Sequence, residues 1–140
     1  MGVLAGILLV AYELNQNREI TQAQTRNSMT ETIVGVQLAL ATNNELQTAN
    51  RKLQAGETIS AAEQSRLRNL QIAIFRIWEN AHYQHRVGLY EDEEYLSQRE
   101  VARNALNSLP LVREFWCGVG ATMSPEFYED ISALMETSCE

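Results

Sequence analysis

Between Glu13 and Thr42 the chain contains no proline, and Gly35 is its only glycine. Proline is the residue that stops a helix outright, because it lacks the amide donor and its ring clashes with the preceding turn. Glutamine, asparagine, threonine and alanine fill the stretch, without the period-two alternation of a strand. It predicts one long helix that continues out of the apolar residues 1–12, polar at first and more amphipathic after Ile33. Its expected apolar positions are Ile20, Ala23, Ile33, Val34, Leu38 and Leu40.

The rest of the chain is punctuated by helix signals. Asn43 and Asn44 break the first helix, and Asn44 is the expected cap of a short helix over Glu45–Gln54 that Gly56 stops. Ser60-Ala61-Ala62-Glu63 has capping-box spacing, and its helix is expected to run to Val87, with Gly88 ending it. On that helix Leu67, Leu70, Ile74, Ile77, Trp78, Ala81 and His85 share one broad face, flanked by Phe75 and His82, with Glu79 and Arg86 together on its shoulder. Glu91-Asp92-Glu93-Glu94 places negative charge at the positive end of the next helix, which is expected to end by Asn107. Leu109-Pro110 opens a short apolar segment closed by Gly118 and Gly120. Ser124-Pro125-Glu126 opens a last helix running towards Ser138. The fold class is therefore all-α: a long N-terminal, membrane-proximal helix followed by a small helical bundle. The division expected is an apolar segment over 1–12, a long and a short helix over 13–56, and a compact acidic bundle over 60–138.

Residues 1–12, MGVLAGILLVAY, carry no charged side chain. A helix crossing the ~30 Å hydrocarbon core needs roughly 20 apolar residues, so twelve do not span it. No basic residue precedes the run and no Ala-x-Ala site follows it, which disfavours a secretory signal, and Gly6 in place of Ser or Thr disfavours myristoylation. Three readings fit: part of a membrane span whose start is missing, a short anchor lying in the bilayer, or a buried helix of a soluble bundle. The run is apolar on every face, unlike a surface helix of a soluble bundle, which favours the membrane readings. Gly2, Ala5 and Gly6 gather small residues on one side, with Gly2 and Gly6 at the spacing of close helix contact in lipid. Arg18 and Arg26 follow the run, so the positive-inside rule puts the body in the cytoplasm.

The chain has eleven basic and eighteen acidic side chains, a net charge of −7, and all of that excess lies in residues 71–140. An acidic protein of this kind is not a general nucleic-acid binder, which needs a basic surface to displace counterions. The acidic half reads as a solvated surface, with docking of a basic partner as the sharper alternative. Two cysteines, Cys117 and Cys139, are too few for a disulfide framework or a four-cysteine zinc site, and are expected to be free thiols in a reducing compartment.

Tyr12-Glu13-Leu14-Asn15-Gln16-Asn17-Arg18 and the block from Phe75 to Leu89, FRIWENAHYQHRVGL, resemble an uncharacterised bacterial family of small, single-pass, membrane-anchored helical proteins. Trp116 and Ser124-Pro125-Glu126-Phe127 extend the resemblance. Within the central block Trp78, Glu79, Tyr83, His85, Arg86 and Gly88 are its distinctive residues. The resemblance implies a longer apolar run than the one here and placement in the bacterial inner membrane. It implies no activity.

Glu79-x-x-His82 is the arrangement closest to chemistry. Glu and His three residues apart share a helix face, and ferritin-like di-iron sites use two such pairs. Here one pair occurs, with His85 a turn further on, so Glu79, His82 and His85 form a candidate metal site that a two-fold dimer would have to complete. The competing expectation is that Glu79 pairs with Arg86 while both histidines hydrogen-bond within a packed interface. Cys117, between Trp116 and Gly118, reads as a buried inert thiol rather than a nucleophile. No phosphate loop or dinucleotide fingerprint is present, and no cofactor is implied. Trp78, Tyr83, Tyr90, Tyr95, Phe115, Trp116, Phe127 and Tyr128 are expected to be mostly core. The sequence thus points to a membrane-anchored protein acting through protein contacts, by self-association or within a larger membrane complex. A metal-dependent enzyme and a soluble helical protein with a buried N-terminal helix are the alternatives.

Overall fold

A computed structural model describes residues 2–139. The chain forms helices α1 (Gly2–Thr42), α2 (Asn44–Gln54), α3 (Ala61–Arg86), α4 (Asp92–Ser108), α5 (Pro110–Val119) and α6 (Pro125–Ser132), with a single 3-10 turn at Gly120–Thr122. The all-α expectation holds, and among the described residues there is no strand.

The helix boundaries follow from local chemistry. Asn43, rather than Asn44, caps α2: its side chain accepts the Leu46 amide at 3.0 Å. Gly56 then takes a positive φ of 69°, reversing the chain so that the Gly56 and Glu57 amides reach the carbonyls of Leu53 and Lys52. The capping box of α3 is complete, with the Glu63 amide donating to Ser60 Oγ and the Ser60 amide donating to Glu63 Oε2. Lys52 of α2 also holds Glu63 at 2.7 Å; that bond, with those from Ser60, lowers the Glu63 carboxyl to about 2. Gly118 lies inside α5. Gly120 is the constrained residue, since a Cβ there would stand 2.9 Å from the Trp116 indole.

The main core is built where α3 meets α4, α5 and α6. Phe75, Leu106, Trp116 and Phe127 are fully buried, and Trp116 meets both Phe75 and Phe127 edge-on at 5.2 and 5.7 Å. Phe75 and His82, expected at the flank of the α3 face, are therefore among its most buried residues, whereas Ile74, Ile77 and Trp78 are half-buried. The physical reason is that α3 is covered twice. The α4–α6 layer packs on one side and α1 with α2 on the other, so its buried arc is wider than one amphipathic stripe. Four aromatics, Tyr90, Tyr95, Trp116 and Phe127, are buried as expected; Trp78 and Phe115 are half-buried, and Tyr83 and Tyr128 are exposed.

At ~1.5 Å per residue α1 is about 60 Å long. Its inward seam consists of Gln22, Thr25, Met29, Ile33, Val36 and Leu40, steps of three and four residues, with Met29 buried. Ile20, Val34 and Leu38, expected on the apolar face, are exposed. Ahead of the seam, Val3, Leu4, Ile7, Leu8, Leu9, Val10 and Tyr12 are all more than half exposed. Among the described residues no helix is long and apolar enough to cross a membrane.

Two corrections concern the C-terminal end. Helix α6 stops at Ser132 instead of continuing towards Ser138, and the chain turns back along α4 and α5. Asn107 clasps that tail, donating to the Leu134 carbonyl and accepting the Glu136 amide, both at 2.9 Å. Trp116 Nε1 donates to Ser132 Oγ. Cys117 and Cys139 are not free thiols. They are disulfide-bonded with their Cα atoms 5.4 Å apart, because the clasped tail lies alongside α5.

Candidate functional site

The distinctive block of α3 runs from Phe75 to Gly88, and its polar residues diverge. Glu79 Oε2 is held by Arg76 at 2.6 Å, while Oε1 accepts the Ser124 backbone amide at 2.6 Å, at the start of α6. Burial opposes ionisation of Glu79, yet the Ser124 amide and Arg76 hold its carboxyl below the usual range. The expected Glu79–Arg86 pair is absent. Arg76, one turn before Glu79, is the nearer cation, and Arg86 reaches Glu126 at 3.5 Å.

His82 is 8% exposed and lies between the rings of Tyr95 and Phe127, at centroid distances of 6.1 and 5.6 Å. Burial lowers its pKa, with Asp130 acting in the opposite sense and Arg86 and His85 reinforcing burial. His85 stacks flat on Tyr95 at 4.1 Å, and its Nε2 faces Asp92 Oδ1 at 2.9 Å. Glu79 thus turns to Ser124 and Arg76, His82 to Tyr95 and Phe127, and His85 to Tyr95 and Asp92, so no ligand or cation is shared by the three side chains. Among the described residues no group of three or more His, Cys, Asp or Glu is placed to hold a metal ion.

Beside His82 lies a network that the sequence reading missed. Asp130 of α6 accepts from Tyr95 Oη at 2.7 Å and from the Arg99 guanidinium at 2.9–3.2 Å. Burial and the bond to Asp130 push the Tyr95 phenol up. Asp130 itself is raised by burial but held low overall by Arg99 and Tyr95. Tyr95 and Arg99 stand four residues apart on one face of α4, which was a legible signal; Asp130 comes from a separate helix and gave none. These groups are spent on holding α4 to α6.

A further set of polar contacts forms the joint between α1 and the bundle. Gly88, at φ 75°, ends α3 and lies under the Arg18 guanidinium, 3.1 Å from where a Cβ would stand. Gln22 donates to the Gly88 carbonyl at 2.9 Å, Arg26 pairs with Glu94 at 2.8 Å, and Asn80 donates to Met29 Sδ at 3.1 Å. Glu94 Oε2 is buried without a hydrogen-bond partner, while Oε1 is paired with Arg26. Nearer the far end of α1, Ile33, Val36 and Leu40 face Ile74, Ile77 and Val101 across an apolar groove of about 370 Å³.

Among the distinctive residues of the block, Gly88 and Glu79 fix junctions, Trp78 packs on Phe75 at 5.7 Å, Arg86 pairs with Glu126, and His85 lies within hydrogen-bond distance of Asp92. Tyr83 is exposed. Gly6 has nothing within 4 Å of a Cβ position, and the surroundings of Gly2 lie outside the described residues. Comparison with family models, with curated proteins and with solved structures returned no match.

Proposed function

We propose that the chain is a membrane-associated, non-catalytic helical protein that works through protein contacts, with residues 3–12 as its anchor. The observation that carries this reading is the placement of the apolar segment. It is the tip of a continuous helix whose residues 3–21 are exposed along their whole length, while residues 22–40 are seated on the bundle. Leaving seven large apolar side chains in water is unfavourable by about 25 cal/mol per Å² of apolar surface, so a cover of lipid or protein is favoured. Insertion into the bilayer interface suits a segment this short. The groove between α1, α3 and α4, together with exposed Val34 and Leu38, supports a role in contacting a partner protein or a second copy. The polar residues of α3, α4 and α6 are paired with one another, which gives the metal-enzyme alternative no geometric support.

Flotation with vesicles of phosphatidylethanolamine and phosphatidylglycerol tests the anchor. The full chain is expected to rise with the vesicles, and a Leu4→Glu/Leu8→Glu variant to stay below with an unchanged melting transition. Loss of that transition in the variant would show that the segment is core, and the anchor reading would fall.

A further inference from the structure

We infer that the helical bundle resides on the oxidising side of the membrane, where the Cys117–Cys139 bridge forms and persists. The first observation is the pairing itself, made between two exposed residues on α5 and the tail. An exposed bridge is open to attack by small thiols and reductases, so a reducing compartment would hold these cysteines as thiols. The second is that the tail is already positioned for closure. The Asn107 clasp and the Trp116–Ser132 bond bring residues 132–136 against α4 and α5. Oxidation transfers two electrons and two protons from the two thiols to a protein disulfide of that compartment, which leaves as a dithiol while the Sγ–Sγ bond forms.

This orientation is opposite to the one that Arg18 and Arg26 favour by the positive-inside rule. Arg26 is paired with Glu94, a use within the fold that does not depend on topology, while Arg18 lies beside Gly88.

The oxidising compartment follows from the bridge alone, whereas attachment to a membrane there rests on the proposed anchor. The test uses the full chain in a Gram-negative bacterium, with a Cys117→Ser/Cys139→Ser variant as the labelling blank. Spheroplasts are treated with a membrane-impermeant maleimide polymer, with and without an impermeant phosphine reductant, and then fractionated with a carbonate wash. The expected result is no gel shift before reduction and a two-thiol shift after it, in the membrane fraction. Labelling without reduction, in spheroplasts or after denaturing lysis under acid quench, would overturn the inference, as would a bridge that the reductant reaches only after lysis. Recovery of the oxidised chain in the soluble periplasmic fraction would support the compartment and sink the anchor.

Discussion

Glu79 and Ser124 are 45 residues apart in sequence, yet the carboxylate of one accepts the backbone amide of the other at 2.6 Å. The bond joins the middle of α3 to the start of α6, where the Ser124 side chain itself makes no cap. Glu79→Gln is expected to cost about 1–2 kcal/mol at neutral pH, because a charged acceptor is replaced by a neutral one and Arg76 loses its partner. The folded carboxyl is held below its ordinary 4.5. Its contribution is therefore complete above that value and is lost as pH falls through the lowered one. Urea unfolding of parent and variant should converge in acid; a constant difference across that range would refute the assignment.

His82 titrates in the same direction for a different reason. Burial against Tyr95 and Phe127 favours the neutral ring, so its folded pKa lies below the ordinary 6.5. Stability associated with the neutral ring is present above 6.5 and declines as pH falls through the folded value. His82→Leu should flatten the fall in melting temperature on acidification, with Asp130, Glu126, Arg86 and His85 left in place around it. A slope identical to the parent's would show that His82 does not titrate on unfolding.

Gly88→Ala combines two penalties. The backbone is at φ 75°, where a Cβ is strained, and the added carbon would meet Arg18. A loss of about 1–2 kcal/mol is expected. Arg18→Ala in the same chain should recover only the steric part. Complete recovery would place the whole cost in the Arg18 contact.

The seam of α1 gives a paired comparison. Met29 is 3% exposed and Ile20 is 49% exposed. Met29→Ala should cost about 2–4 kcal/mol, and Ile20→Ala should stay within about 0.5 kcal/mol by chemical denaturation. The reverse order would mean that α1 sits on the bundle in another rotation.

Removing the bridge is the remaining stability test. The disulfide joins residues 22 apart, and the loop-entropy relation puts the loss on breaking a bridge of that span at about 3 kcal/mol. Cys117→Ser/Cys139→Ser should unfold at correspondingly lower urea. Equal midpoints for parent and variant would show that Asn107 and Trp116 hold the tail without it.

The elements themselves were readable, because their signals are local. The Ser60–Glu63 box, the glycines at 56 and 88, and Pro110 and Pro125 at helix starts each act within one turn. What sequence could not supply was the rotation of each helix about its axis. The α1 seam contains Gln22 and Thr25, polar residues that hide the stripe, while Ile20 and Leu38 advertise a false one. The stop of α6 at Ser132 and the pairing of Cys117 with Cys139 go with tail contacts to Asn107 and Trp116, residues of other helices, and so left no local mark. Glu79, read as a metal ligand, illustrates the same limit: its i+3 neighbour His82 and its i−3 partner Arg76 were visible, whereas its other partner, the Ser124 amide, is contributed by a distant turn.

The unbroken helix from Gly2 to Thr42 ties the azimuth of the apolar tip to that of the seated half. Each residue of an α-helix turns the side-chain direction by ~100°. The face that Gly6 presents is thus held at a fixed angle, about 140° around the axis, from the face on which Met29 is buried. One residue inserted between Asn15 and Asn17 would leave both halves chemically unchanged but swing the tip by more than a quarter turn. The face that the tip offers to whatever covers it is therefore decided by how the other half of the helix sits on the bundle.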